Sequence, residues 1–281
     1  MEAVPLTKVI PKSPLRGISV LLMGGTGSGK TYAIKTFKDK GITPFAIFLE
    51  PEDGVVQIPR EEWHQRYIAP ASASWPDMIQ SAEYINKLSF KALTEMSDIK
   101  KSSYNQFVEF LRTLNNFKCD TDGKEYGDVC KWGTDRALII DGLSGLSIMS
   151  MNLMVGSKPV KSQADWAVAM DNLERLIQKL CTDTRCHLVL ISHVERETDE
   201  VFGGSKIMAS TLGRKLAPKI PRFFSDVILA EQKGGQFQWS TAAPGADLKG
   251  RNVPVKEGLP PSFVPLLESW QKRGGIIEKG E

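Results

Sequence analysis

The chain lacks the long apolar run that a membrane-spanning helix requires. None of its hydrophobic stretches approaches the roughly 20 residues needed to cross a bilayer. The amino-terminal segment, which contains Pro5, Pro11 and Pro14, also lacks the apolar core of a signal peptide. We therefore expect a cytoplasmic protein with no membrane partner. With 281 residues, 41% of them hydrophobic, the chain can bury one sizeable core.

Paired metal-binding cysteines are also missing. The sequence has four cysteines and three histidines, and no C-x-x-C spacing occurs, so the pattern predicts no zinc site. Cys119 and Cys130 bracket a polar loop that is typical of a hairpin, where they could form a disulfide. Reduced side chains are favoured in an intracellular protein. The net charge of +3 is too small to indicate a nucleic-acid partner by itself.

The most specific motif that is present is GGTGSGKT, which begins at Gly24 and fits the phosphate-binding pattern G-x-x-x-x-G-K-[ST]. Glycines let the backbone turn so that successive N–H groups face phosphate oxygens. Lys30 would reach the β- and γ-phosphates, and the Thr31 hydroxyl would ligate Mg²⁺. The predicted nucleotide contacts are Gly25, Thr26, Gly27, Ser28, Gly29, Lys30 and Thr31.

Buried strands alternate with helices along the chain. Apolar runs typical of strands occupy residues 18–23, 44–50, 65–69, 136–141 and 187–193. Helical spacing of apolar residues occurs over 75–90, over 104–117 and after Asp165, and we interpret the first two segments as crossover helices. This alternation predicts an α/β fold with a mostly parallel central sheet flanked by helices. Two later runs, 226–231 and 236–241, are joined by a glycine turn and predict an antiparallel hairpin.

Acidic residues end two of these strands. Asp141 closes the apolar run 137–140 in the form of a Walker B strand, where it would hold Mg²⁺ together with Thr31. The alternative is an aspartate that caps a turn before Gly142. Glu50 and Glu52 follow the second strand, and hydrolysis needs such a carboxylate to orient and deprotonate water. The alternative is a solvated acidic turn.

The order of these parts resembles the RecA-like core of recombinases and ring helicases. Within that group the chain is similar to the phage-encoded RecA-like ATPases of the Sak type, small cores associated with single-strand annealing. The shared features are the P-loop, the ISH strand end at residues 191–193 and the pattern D-L-K-G-R-N…L-P-P-S-F near the carboxyl end. The resemblance implies an N-terminal extension at 1–16, a RecA-like ATPase core at 17–270 and a tail at 271–281. It also implies ATP as the nucleotide, and no guanine-reading N-K-x-D motif occurs.

The same resemblance implies further catalytic residues. RecA-type proteins end the second strand in an acidic-x-Glu pair, which makes Glu52 the preferred base. His193 stands where they carry a glutamine that senses the γ-phosphate, and a structural histidine is the alternative. Lys249 and Arg251 resemble the K-x-[KR] finger that enters the nucleotide site of a neighbouring subunit in a ring or filament. The alternative is a solvated basic turn.

Residues 203–225 form a basic stretch without any acidic residue. RecA-like cores contact single-stranded DNA in this region, so Lys206, Arg214, Lys215 and Lys219 are predicted to bind DNA phosphates. A solvated surface loop is the alternative. The implied function is a DNA-stimulated ATPase that assists phage homologous recombination or single-strand annealing in the host cytoplasm, with a single-strand DNA-binding protein as a candidate partner. A small-molecule kinase and a nucleotide-stabilised, non-catalytic assembly protein are the rival functions.

Overall fold

The computed structural model describes residues 14–50, 60–72, 74–96, 104–156, 158–198 and 205–280. Seven strands form one sheet in the order β3-β2-β4-β5-β1-β8-β9, and β6 and β7 form a separate hairpin. Within the sheet every neighbouring pair is parallel except β8 with β9. The strands are β1 (Ser19–Gly24), β2 (Thr43–Phe48), β3 (His64–Tyr67), β4 (Arg136–Asp141), β5 (His187–Ser192), β6 (Val194–Thr198), β7 (Ser205–Ala209), β8 (Asp226–Lys233) and β9 (Gln236–Ser240).

Helices cover both faces of the sheet. The α-helices are α1 (Trp75–Asn86), α2 (Phe90–Glu95), α3 (Gln106–Asn115), α4 (Leu143–Val155), α5 (Gln163–Asp183), α6 (Gly213–Leu216) and α7 (Val264–Lys272). Shorter 3₁₀ segments are Arg60–Glu62, Val129–Lys131 and Ala217–Phe223, and a longer one, Tyr32–Lys40, follows the P-loop. In the part of the chain that the structure describes, no helix has the length and apolarity that a bilayer span needs.

The central strands are buried on both faces, which explains why they read as unbroken apolar runs. Leu21 and Met23 of β1 pack into one core, with side chains of α3, α4 and α5. Val20 and Leu22 pack into the core on the other face, with Phe37 of the 3₁₀ helix after the P-loop and with α7. The predicted α/β fold, its mostly parallel sheet and its antiparallel hairpin are therefore confirmed.

Two segments differ from the sequence expectation. The helix α4 was not predicted, because apolar residues lie on all sides of it and no helical period stands out. The β6–β7 hairpin lies in a stretch without a convincing period. The helix α1 forms within the segment 75–90, as predicted, and lies between β3 and β4 in the chain, but neither α1 nor the α2 helix that follows it has a buried side chain. Trp75 and Phe90 are 77% and 74% exposed.

The strand order determines where the functional residues meet. The P-loop strand β1 and the strand β4 are not neighbours, because β5 lies between them and pairs with both. Since β1, β2, β4 and β5 are parallel, their carboxyl ends lie along one edge of the sheet, where ligands of open α/β sheets bind.

Candidate nucleotide site

The P-loop leaves β1 through a tight turn that only glycine permits at two positions. A Cβ atom on Gly24 would lie 2.4 Å from the Ala230 carbonyl oxygen, so the backbone of β8 approaches too closely for any side chain. Gly29 has a φ of +79°, which L residues with a side chain rarely adopt. The residues at the tip of the loop are exposed, whereas Ser28 and Lys30 behind them are buried. The tip of the loop therefore exposes its backbone to solvent, while the buried Ser28 and Lys30 lie beneath it.

Lys30 lies inside this loop. Its ammonium group donates to the carbonyl oxygens of Gly24 at 2.9 Å and Gly25 at 2.7 Å. Burial lowers the pKa of Lys30, and the negative charges of Asp141 and Glu50 oppose that shift. A desolvated cation beside carbonyl dipoles has a strong preference for an anionic partner, as a triphosphate would provide.

Thr31 and Asp141, the two residues predicted to hold Mg²⁺, contact each other. The Thr31 hydroxyl donates to Asp141 Oδ2 at 2.6 Å, although Thr31 follows β1 and Asp141 ends β4. Desolvation raises the pKa of the Asp141 carboxyl, the hydrogen bond from Thr31 lowers it, and the nearby Glu50 carboxylate raises it further. The Asp141 carboxylate and the Thr31 hydroxyl offer the hard oxygen ligands that Mg²⁺ prefers. These residues fit the ion, which would supply positive charge to the phosphate oxygens.

Glu50 is the carboxylate that the structure places beside this pair. Its Oε2 atom lies 3.0 Å from His193 Nε2, so the residues that follow β2 and β5 contact each other across the end of β4. Its Oε1 atom is buried and has no hydrogen-bond partner among the residues that the structure describes. A Cβ atom on Gly142 would lie 2.6 Å from that oxygen, which leaves room for the carboxylate only because residue 142 is glycine.

Glu52, the base preferred from the resemblance, lies outside the described residues. The contact between Glu50 and His193 was not predicted, because the sequence shows neither the strand order nor the side-chain directions. The available signal was indirect: both residues follow apolar runs, and parallel strands bring their carboxyl ends to one edge.

Lys249 and Arg251 lie near the amino ends of β1 and β8, whereas the P-loop follows the carboxyl end of β1. The backbone of Lys249 pairs with Val227 in β8, and the Arg251 N–H donates to Asp226 Oδ1 at 2.7 Å. Asp226 is level with Val20, four residues before Gly24, which corresponds to about 13 Å of strand. Both side chains line a cavity of about 760 Å³ that is also lined by Arg16, Arg222 and Arg273. Burial, and then the charge of Arg251, lower the pKa of Lys249.

The predicted DNA-binding cations lie on β7, α6 and the 3₁₀ segment after α6. The side chain of Lys206 is 48% exposed and forms an ion pair with Asp247, and that of Lys219 is 47% exposed and forms one with Glu174. Lys215 is exposed. Arg214 belongs to α6, but its side chain is outside the described part of the structure. Exposed ion pairs contribute little free energy, so these lysines could exchange an acidic partner for phosphate.

Together, the P-loop, the Thr31–Asp141 contact and the strand inserted between β1 and β4 define a P-loop ATPase domain. More specifically, the chain belongs to the family described as AAA domain, whose model matches residues 16–251. No curated protein matches the chain.

Two solved structures resemble the chain at low similarity. One is an ATPase from the type III secretion system of pathogenic bacteria, at 10% identity and a TM-score of 0.38, with 77% of this chain aligned to 52% of that chain. The chain thus spans about half the length of that protein. The other is the flagellar accessory protein FlaH from Methanocaldococcus jannaschii, at 10% identity and a TM-score of 0.29, with 80% and 77% covered. At this level of similarity neither structure indicates a function for the chain.

Proposed function

We propose that the chain is a magnesium-dependent, DNA-stimulated ATPase that binds single-stranded DNA and assists phage homologous recombination or single-strand annealing as a ring or filament. The observation that carries the proposal is the grouping of Lys30, Thr31, Asp141, Glu50 and His193 at one edge of the sheet. Phosphate binding, metal binding, a base and a sensor are all assigned to residues of this group. The host cytoplasm and a partnership with a single-strand DNA-binding protein remain part of the proposal.

Glu50 is the base in this proposal. Its carboxylate would accept the proton of the attacking water while the oxygen of that water forms a bond to the γ-phosphorus and the bond to ADP breaks. Lys30 would stabilise the negative charge on the phosphate oxygens. His193 holds Glu50 through the 3.0 Å contact and so acts as a positioning residue.

His193 also connects the nucleotide site to the β6–β7 hairpin, which carries Lys206. The hairpin begins at Val194, directly after His193, and the Ser210 N–H donates to the His193 carbonyl oxygen at 2.8 Å. A movement of His193 in response to nucleotide would therefore shift both ends of the hairpin. This continuity is the physical basis for coupling ATP turnover to DNA binding.

ATP turnover with and without single-stranded DNA, measured together with the mass of the complex, separates the candidate functions. The proposal requires phosphate release without an acceptor, an increase in turnover with DNA, and a mass larger than one chain. ADP formation that depends on a small-molecule acceptor would favour a kinase. An assembly that binds nucleotide but never releases phosphate would favour the non-catalytic rival.

We expect that replacing Lys206, Arg214, Lys215 and Lys219 with alanine weakens DNA binding. For each phosphate that the variant no longer neutralises, the slope of log affinity against log salt should fall by about 0.7 for a single strand. Binding to a labelled oligonucleotide at several salt concentrations measures this slope. The matched control replaces Lys35, Lys38, Lys40 and Lys272, which lie on the 3₁₀ helix after the P-loop and on α7. If both variants lose the same affinity, the assignment of DNA binding to residues 203–225 is wrong.

The position of Lys249 and Arg251 restricts any catalytic role to a neighbouring subunit. They lie at the edge opposite the P-loop of their own chain, so they would act only where another copy docks its P-loop edge onto the basic cavity. A head-to-tail contact of this kind repeats to give a ring or a filament.

A mixing experiment tests this arrangement. We expect the Lys30→Ala variant and the double variant Lys249→Ala, Arg251→Ala each to lose turnover alone. In an equal, randomly assembled mixture, about a quarter of the sites combine the intact P-loop of the double variant with the intact Lys249 and Arg251 of a Lys30→Ala neighbour. Turnover should therefore recover to about a quarter of the parental rate. The measurement is ATP turnover against mixing ratio. A double variant that alone turns over at the parental rate would contradict the role in trans.

A further inference from the structure

A second cluster of reactive side chains lies beside the start of β3, an outermost strand of the sheet. His64 opens β3 and is paired with Phe45 of β2. Cys119 and Asp122 belong to the loop after α3, which is closed by a bridge between Lys118 and Glu125. The ligand atoms of His64, Cys119 and Asp122 all lie within 4.8 Å of one another. The nucleotide chemistry uses none of these three residues.

The three atoms converge on one point instead of forming a proton relay. His64 Nδ1 lies 3.6 Å from Cys119 Sγ and 3.7 Å from Asp122 Oδ2. In a nucleophilic relay the thiol and the carboxylate would face opposite nitrogens of the imidazole. Here both face the same nitrogen. Cys119 is also only 1% exposed, so a substrate has little access to the sulfur. The arrangement fits a shared cation.

Two of the three separations are close to those around tetrahedral zinc. Zn–S and Zn–N bonds of about 2.3 and 2.0 Å place sulfur and nitrogen roughly 3.5 Å apart at the tetrahedral angle. The observed separation is 3.6 Å. For a nitrogen and an oxygen ligand the expected separation is about 3.3 Å. The observed 3.7 Å needs only a small movement of the loop carboxylate.

Two of the ligands are held in place by additional contacts. The Lys124 N–H donates to Asp122 Oδ1 at 3.0 Å and the Tyr126 hydroxyl donates to Oδ2 at 2.7 Å, and these bonds lower the pKa of Asp122 to about 2. Phe45 stacks on the His64 ring with centroids 4.6 Å apart. Burial lowers the pKa of His64. The aspartate is therefore ionised and the histidine neutral near pH 7, which are the forms that bind metals.

We propose that His64 Nδ1, Cys119 Sγ and Asp122 Oδ2 bind one Zn²⁺ ion, with water as the fourth ligand. Binding displaces the thiol proton to solvent, so the thiolate and the carboxylate supply two negative charges. These charges offset the nearby cations Arg136 and Lys124, both of which act on His64. The ion fastens the 118–125 loop onto β3, the edge strand of the sheet. The site is separate from the nucleotide site.

Cobalt spectroscopy on the whole 281-residue chain tests the site. The protein is stripped with a chelator, freed from it, and titrated with Co²⁺ in the absence of nucleotide and Mg²⁺. We expect a saturable near-ultraviolet charge-transfer band from thiolate to cobalt at one ion per chain, and its loss when Zn²⁺ is added. Co²⁺ bound by Thr31 and Asp141 has oxygen ligands alone and gives no such band.

Three variants complete the test. Cys119→Ser should abolish the band, whereas the matched control Cys181→Ser should keep it. Asp122→Asn should weaken Zn²⁺ affinity at least about tenfold while the circular dichroism spectrum stays native. Because Asp122 is exposed, this variant still tests the site if Cys119→Ser fails to fold. The proposal is overturned if the parental protein shows no saturable band, if the band survives in Cys119→Ser, or if Asp122→Asn binds Zn²⁺ as tightly as the parent.

Discussion

Replacing Lys30 with alanine is expected to reduce ATP turnover by about 100-fold or more, since removal of one preorganised donor to transition-state charge costs this much in other enzymes. Lys30 is the buried cation of the P-loop, and its ammonium group already donates to two loop carbonyl oxygens. Nucleotide affinity should fall as well, because the lysine contacts phosphate before and during the reaction. Phosphate release and the binding of a fluorescent ATP analogue measure the two effects.

Lys40→Ala is the matched control for this variant. Lys40 ends the 3₁₀ helix that follows the P-loop and forms a surface ion pair with Glu268, so its loss should change turnover little. Melting temperatures of both variants check that neither is unfolded. If Lys30→Ala keeps parental turnover while remaining folded, the P-loop is not the catalytic nucleotide site.

Much of the fold could be predicted because its central strands are buried on both faces. Such strands appear as short apolar runs, and β4 was predicted with the bounds that the structure shows. The same logic failed for α4, because apolar residues lie on all sides of that helix, including Ile148, which is 60% exposed, so no helical period stands out. The helical period over 75–90 did predict α1, although every side chain of that helix is at least partly exposed.

The site could be predicted in part. Lys30, Thr31 and Asp141 were assigned from local motifs, and the structure brings them together. The Glu50–His193 contact depends on β4 lying between β2 and β5, which no local pattern reveals. The His64–Cys119 contact was missed for a related reason. Its two residues are 55 positions apart and follow no metal-binding spacing, so only the folded loop shows them together.

Glu50→Gln is expected to lower ATP turnover by between about 100-fold and 10,000-fold, the range for loss of a positioned general base. Glutamine keeps the shape of the side chain and can still contact His193, but it cannot accept a proton from water. Nucleotide affinity should change little, because Glu50 would act on water and not on the phosphates. Single-turnover phosphate release, compared with binding of the fluorescent analogue, separates the two quantities.

Glu52→Gln decides between the two glutamates. The resemblance to RecA-type proteins favours Glu52, whereas the structure places Glu50 beside Asp141 and His193. If Glu50 is the base, Glu52→Gln should retain most of the parental turnover, as should Glu62→Gln, which removes an acid that pairs with Lys38 at the surface. The reverse result, with turnover lost in Glu52→Gln and kept in Glu50→Gln, would make Glu52 the base. Glu50 would then serve only to hold His193 at the start of the hairpin that carries Lys206.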